Sequence, residues 1–251
     1  MISIVGRPGS KAVKRIVTNT DLYRYAKNCD FVINYGLAGK KMGLFVKKNP
    51  SLPRKPIINK YIGCSKFKAV KDAEAIGIKV PKTLLSLKFE DKKTDFLTKR
   101  LHSQGGIGII KATGKGRVTG KYYQEFIENR RYELRVHGFL WVDEKNWLIQ
   151  KRFGREGEIA WNYHNGGRFQ TIQNPNNYKV FVDAKEITKK VLEMRNMAFG
   201  AVDFIVTTSG DLLFLEINSA PGFTELSEGA YILAFSMLTR SSKSKISQYC
   251  R

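Results

Sequence analysis

Apolar runs are short throughout. None approaches the ~20 residues that a membrane-spanning helix needs, and the opening MISIVGRPGSKAVKR lacks an apolar stretch long enough for a secretory signal. The expectation is a cytoplasmic protein with no membrane partner. Cysteine is scarce as well: Cys29, Cys64 and Cys250 are odd in number, far apart, without Cys-x-x-Cys spacing or neighbouring His. That pattern argues against a disulfide framework and against a zinc site. Acidic residues are the third shortage, with 22 Asp and Glu facing 44 Lys and Arg, a formal charge of +22. Such a field attracts polyanions in a salt-dependent way, whether nucleic acid, acidic polypeptide or nucleotide phosphate. It does not choose among them, and a solvated basic surface without a dedicated partner is the plain alternative. What is present is a foldable chain: 42% hydrophobic residues and 12% aromatics over 251 residues suit one large domain or two to three small ones.

The chemistry-bearing stretch is AVDFIVTTSGDLLFLEINSAPG, Ala201 to Gly222. β-branched and aromatic residues run into and away from Ser209-Gly210, which reads as a hairpin turn. Counting outward from a two-residue loop places Asp203 opposite Glu216. Because side chains alternate along a strand, Glu216 and Asn218 share that face. Three oxygen donors converge, and a rigid set of hard ligands suits Mg²⁺ shared with nucleotide phosphates. A solvated hairpin with its acids facing water is the competing reading.

In chain order, residues 1–58 read as a small leading unit. Thr20 or Asp21 can cap a helix over Leu22 to Lys27, FVINYG reads as a strand, and Gly36 to Gly43 reads as a connecting loop without the GxxxxGK[ST] spacing. KKNPSLPRKP, with Pro50, Pro53 and Pro56, reads as a linker. Next, SKFKAVKDAEAIGIKVP reads as a helix with a Ser cap and a Gly77 stop. DFLTKRL is a strand, and the glycines after it would let backbone N–H groups approach a phosphate, with Lys99 just ahead. YYQEFIE and YELRVHGFLWV are strands, the latter placing Glu133 and Arg135 on one face, either as an ion pair or as part of a polar cleft. NWLIQKRF brings Lys151 and Arg152 to a strand end, and the polar stretch from Gly154 to Ile172 reads as a loop. An amphipathic helix over AKEITKKVLEMRNMAF leads into the hairpin, an apolar helix over Ser227 to Leu238 follows, and the tail RSSKSKISQYCR is expected to fray. His102, His137 and His164 have no evident carboxylate partner, so nucleophilic-triad chemistry has little support.

Taken together, these segments resemble the ATP-grasp superfamily of carboxylate-amine ligases, and most closely its RimK-like branch of ribosomal-protein glutamate ligases. The likeness runs from Asn59 to Leu238 through four ordered matches: SKFKAVKDAEAIGIKVP, FLTKRLHSQGGIGII, QEFIENRRYELRV and DFIV...LFLEINSAPGF. It departs in its shortened leading unit, in SAP at 219–221, and in EIAWNYHNGG, where Asn162 is kept but Ala160 stands where the branch has Arg. The resemblance implies an α+β ATP-grasp fold, two α+β subdomains clamping ATP, preceded by a reduced α/β unit. The expected divisions are 1–58, 59–121 with the lysines and phosphate loop, 122–240 with the adenine hinge and metal site, and a basic tail at 241–251. It further implies adenine along Gln124, Glu125, Phe126 and Ile127, the ribose on Glu133, and the nucleotide contacted by Lys66 and Lys99. Gln104, Gly105, Gly106 and Gly108 would cover the phosphates. Asp203, Glu216 and Asn218 would hold one or two Mg²⁺, with Mn²⁺ as a substitute. Arg135, Arg152 and Asn162 would serve the reacting groups. A carboxylate would be phosphorylated by ATP and the acyl phosphate captured by an amine, giving an amide. The basic charge fits an acidic polypeptide as substrate. A nucleic-acid-associated protein, supported only by charge and by KKMGLFVKK and KRLHSQGG, and a small-metabolite ligase are the alternatives.

Overall fold

The structure, a computed structural model, describes residues 1–24, 28–50, 55–60, 62–63, 65–88, 94–102, 108–112, 116–155, 157–159, 161 and 166–250. The chain opens with a strand that the sequence reading passed over. ISIVG is wholly buried as β1 (Ile2–Gly6) and sits inside a parallel sheet. α1 (Lys11–Thr18) follows, started by Ser10, whose hydroxyl accepts from Val13 N at 3.3 Å, and it packs through Val13 and Ile16. Of the helix expected over Leu22 to Lys27, residues 25–27 lie outside the described residues, and Tyr23–Arg24 form β2, parallel to β1. Thr20 explains the difference: its hydroxyl donates to Ile16 O at 2.7 Å and so closes the preceding helix instead of opening another. β3 (Phe31–Tyr35) is the expected strand. The supposed loop at Gly36 to Gly43 runs into a helix, α2 (Lys40–Lys48), because Met42 and Phe45 pack on Val5, Val32, Leu37 and Ile57. β4 (Ile57–Ile58) completes the order β2-β1-β3-β4.

α3 (Lys66–Ala75) has the expected Ser65 cap, buries Val70 and Ala73, and stops at Gly77, whose φ of +80° only glycine adopts freely. β5 (Thr83–Leu84), β6 (Ser86–Leu87), β7 (Phe96–Arg100), β8 (Ile110–Lys111), β9 (Gly116–Arg117) and β10 (Lys121–Glu125) follow. They form a sheet ordered β5-β10-β7-β8 and a β6–β9 ribbon.

The third sheet is antiparallel and ordered β13-β12-β11-β14-β15. Its strands are β11 (Arg130–Phe139), β12 (Leu148–Phe153), β13 (Arg168–Thr171), β14 (Phe199–Thr207) and β15 (Leu212–Asn218). β13 lies inside the stretch read as a loop, paired to β12 from Gln150 to Phe153. α4 (Lys179–Met194) and α5 (Glu225–Thr239) bury Phe181, Val191, Leu192, Tyr231 and Phe235. The tail does not fray over its described part. Ser242 caps α6 (Lys243–Ser247), Ile246 is buried, and Tyr249 stacks edge-on against Trp141. Two apolar anchors offset the ordering entropy that a bare basic segment would lose. Among the described residues no helix is long and apolar enough to cross a membrane.

Candidate functional site

A cleft of about 1300 Å³ opens between the first parallel sheet, the β10–β7 sheet and the β11–β14–β15 face. The hairpin that organises it has the expected pairing for an unexpected reason. Asp203 does lie opposite Glu216, but Val206 pairs with Leu212, so the turn is longer than two residues. A bulge at Leu215 compensates: Phe204 pairs with Phe214, and the next pair is Asp203 with Glu216. Phe204 and Phe214 go to the core while Asp203, Glu216 and Asn218 face the cleft.

Cations meet these acids directly. Arg135 binds Asp203 through Nε and Nη2, both at 2.7 Å, and Arg152 Nη2 adds a third contact at 3.0 Å. Arg152 Nη1 also holds Glu133 at 2.8 Å, and Arg130 Nη1 holds the other oxygen of Glu133 at 2.7 Å. Burial alone would raise the Asp203 carboxyl, but the two guanidiniums keep it well below the usual carboxylate range. Glu133 goes the other way: burial wins over Arg152 and Arg130 and raises it. Lys66 Nζ lies 2.6 Å from Glu216 Oε2, and Asn218 Nδ2 donates to Oε1 at 3.1 Å. Lys66 thereby holds Glu216 ionised against its burial. Lys99 reaches the buried Gln124 side chain, and burial, partly opposed by Glu216, lowers its pKa to about 8.

The twelve expected residues Lys66, Lys99, Gln124, Glu125, Phe126, Ile127, Glu133, Arg135, Arg152, Asp203, Glu216 and Asn218 all line this one cleft. Gly108 does not; it sits at φ +78° with Arg100 beneath it, and its neighbour Ile109 faces the cleft instead. Gln104, Gly105, Gly106, Asn162 and His164 lie outside the described residues. Along the expected adenine segment, Glu125 N and Phe126 N already donate to Lys82 O and Asp95 O at 2.8 and 2.7 Å. Glu133, expected at the ribose, has each oxygen held by an arginine, Arg130 on one and Arg152 on the other. The sequence reading missed Arg130, Trp161 and Phe169. The Arg130 guanidinium lies 3.7 Å from the Trp161 ring centre, and Phe169 faces both Arg135 and Arg152 at 5.7 and 5.1 Å. Nothing in sequence spacing brings Trp161 or Phe169 to those arginines, since each comes from the polar stretch that follows β12.

The donor set fits a hard divalent cation. Among the described residues no group of three or more His, Cys, Asp or Glu comes together. Asp203 and Glu216 supply two carboxylates and Asn218 an amide oxygen on one face, the oxygen-rich mixture that Mg²⁺ takes. Each carboxylate is met by a cation, the buried Asp203 by Arg135 and the half-buried Glu216 by Lys66.

Residues 165–239 match the family model described as the D-ala D-ala ligase C-terminus. A probable alpha-L-glutamate ligase of Histophilus somni is 26% identical over 159 residues, covering 59% of this chain and 50% of that protein. The chain therefore spans about half the length of the curated relatives it matches. The D-alanine–D-alanine ligase from Bacillus anthracis, solved with ATP, superimposes with a TM-score of 0.65 at 14% identity, over 98% of this chain and 97% of that one. A Chryseobacterium gregarium RiPP-associated ATP-grasp ligase, solved with ADP and a leader and core peptide, gives 0.61 at 13% identity over 96% and 97%. The fold is that of the ATP-grasp ligases, and the residues matched by the family model include the β14–β15 hairpin.

Proposed function

We propose that the protein is an ATP-dependent carboxylate-amine ligase that forms an amide through an acyl phosphate, acting on an acidic peptide or protein segment. One observation carries the reading: two lysines, two arginines and the Asp203, Glu216 and Asn218 donors converge in one cleft. Phosphoryl transfer is mostly positioning and charge neutralisation, and these groups supply both.

Lys66 and Lys99 contact the nucleotide, and Asp203, Glu216 and Asn218 hold Mg²⁺, or Mn²⁺ in its place. A metal held there would supply charge neutralisation for phosphoryl transfer. The base lies along Gln124 to Ile127, where it meets backbone groups other than Glu125 N and Phe126 N. Arg135 and Arg152 bind the anionic acyl phosphate, for which planar guanidiniums are suited. Both start from contacts with Asp203, so nucleotide and metal binding redistribute an existing set of ion pairs rather than create one. Glu133 limits the positive charge of Arg130 and Arg152, one on each oxygen, and its remaining lone pairs accept from the ribose hydroxyls. The divisions near residues 58 and 121, and a cytoplasmic setting in which Cys29 and Cys250 stay as free thiols, belong to the same reading. The named activities of the relatives, glutamate ligation and modification of a precursor peptide, support a carboxylate-amine reaction on a peptide.

The test is ADP release on incubating the pure protein with Mg²⁺, ATP and pools of amino acids and acidic peptides. Turnover that depends on particular substrates and is lost by at least 100-fold in Glu216→Ala is the expected result. ATP that is neither bound nor hydrolysed with any pool sinks the reading.

A further inference from the structure

Residues 1–58 hold twelve Lys and Arg against two Asp and no Glu, a balance of +10, while the other 193 residues carry +12. The leading unit is thus nearly three times as densely charged as the rest. Part of this charge is placed at the cleft. α1 carries Lys11, Lys14 and Arg15, all exposed, and no acid. Lys11 and Arg15 line the cleft together with Arg7 from the preceding loop, and Arg168 of β13 adds a further exposed guanidinium. Glu228 takes up part of Arg15 at 2.5 Å, an exposed contact of little weight.

The cleft charge divides into two parts. On the floor, Lys66, Lys99, Arg130, Arg135 and Arg152 face Glu133, Asp203 and Glu216, an excess of two positive charges. A magnesium-bound nucleoside triphosphate, with roughly two net negative charges, answers that excess. At the rim, Arg7, Lys11, Arg15 and Arg168 face Glu125, Glu225 and the Glu228 that pairs with Arg15, leaving one more positive charge that the nucleotide does not answer. Lys14 extends the rim along α1. The loop and helix, RPGSKAVKRIVT, contain no aromatic side chain on which a base could stack, and base stacking is what single-stranded nucleic acid sites rely on. An acidic polypeptide needs only the charge.

We propose that α1 and the loop before it form the docking surface for the acidic polypeptide segment on which the ligase acts, holding it by Lys11, Lys14 and Arg15 while its end enters the cleft. This inference rests on the ligase reading and deepens it by giving the reduced leading unit a role: it recognises the substrate through charge rather than through a closed pocket.

The measurement is fluorescence anisotropy of a labelled ten-residue oligoglutamate peptide against salt concentration. Three proteins are compared: wild type, Lys11→Glu with Lys14→Glu, and Lys47→Glu with Lys48→Glu. The last pair lies on α2, whose packing cluster is on the opposite face of the same sheet, and changes net charge equally. The α1 pair should weaken peptide binding at least 10-fold and flatten its salt dependence, and the α2 pair should change it less than 2-fold. Equal losses from both pairs would mean a diffuse field and overturn the proposal. So would no loss from the α1 pair, no binding by wild type, or tighter α1-dependent binding of an oligonucleotide of equal charge. Mg²⁺-dependent binding of a fluorescent ATP analogue, measured alongside, separates the two ideas. If wild type fails to bind the analogue, the ligase reading fails; if the analogue binds while the α1 pair has no effect on peptide, only the dock fails.

Discussion

His137 shows how a single buried group sets a property of the whole chain. It is 1% exposed, with Nδ1 3.0 Å from Tyr231 Oη and Nε2 3.1 Å from Gln150 Oε1. Gln150 Oε1 can only accept, which puts the ring proton on Nε2 and leaves Nδ1 to accept from the tyrosine. Burial, reinforced by nearby Arg135, lowers its pKa from 6.5 to about 3. The folded state keeps the ring neutral while the unfolded state protonates it below about pH 6.5, so stability is full above that pH and falls as pH drops toward the folded value. Asp203 and Asp30, whose carboxyls are depressed, lose stability only below about pH 4 and stay out of this window. Glu133, whose carboxyl burial raises, acts in the opposite sense in the same window, so the measure is a difference: urea unfolding between pH 6 and pH 4.5 should lose about 1.4 kcal/mol per pH unit more in wild type than in His137→Gln.

At the scale of elements, the β14–β15 hairpin matters most because a one-residue slip moves every side chain to the other face. The two-residue turn read from Ser209-Gly210 is longer in fact, and the bulge at Leu215 restores the pairing of Asp203 with Glu216. Neighbouring deletions should therefore behave oppositely. Removing Leu215 regularises the ladder and keeps Glu216 facing the cleft, so Mg²⁺-dependent binding of the ATP analogue should weaken less than about 10-fold. Removing Ile217, which packs on the core, turns Asn218 inward and should cost more than about 100-fold. Calorimetric titration of both variants settles the matter.

The elements legible in the sequence were those whose own side chains declare them. α3 has its Ser65 cap and Gly77 stop, and the hairpin has alternating residues up to the cleft acids. Those that escaped depend on distant partners. β1 is uniformly apolar and short, α2 is made helical by packing Met42 and Phe45, and α6 is held by Trp141 from another element. At the site, residue identities could be read, but not the state of their charges. That Lys66 sits on Glu216, or that Glu133 is shared by two arginines, follows from where α3, β11 and β12 meet.

For the whole molecule, Asn59 ties the leading sheet to the last. It is 1% exposed at φ +56°, and its side chain accepts from Ala198 N at 2.7 Å and donates to Phe199 O at 2.9 Å. Its own carbonyl accepts from Asn34 Nδ2 at 3.0 Å. Asn59→Ala strands two buried backbone groups and places a Cβ residue without local compensation in the left-handed region. The expected loss is about 3–5 kcal/mol in urea unfolding followed by tryptophan fluorescence. Asn59→Gly should recover about 1 kcal/mol of it, the part due to backbone strain.

The large apolar cluster runs from Ile4 and Val13 of the leading sheet through Val70 to Phe204 and Tyr231, but it does not include Phe96, Leu97, Tyr122 or Tyr123 of the β5-β10-β7-β8 sheet. That sheet meets the rest through slighter joints such as the Phe67–Tyr122 ring contact and Lys66 N to Leu101 O. In mechanical terms the cleft has two jaws of separate casting: the hairpin acids and the arginines share the large apolar cluster with the leading sheet that carries the basic rim, while Lys99 and Gln124 stand on a sheet packed outside it.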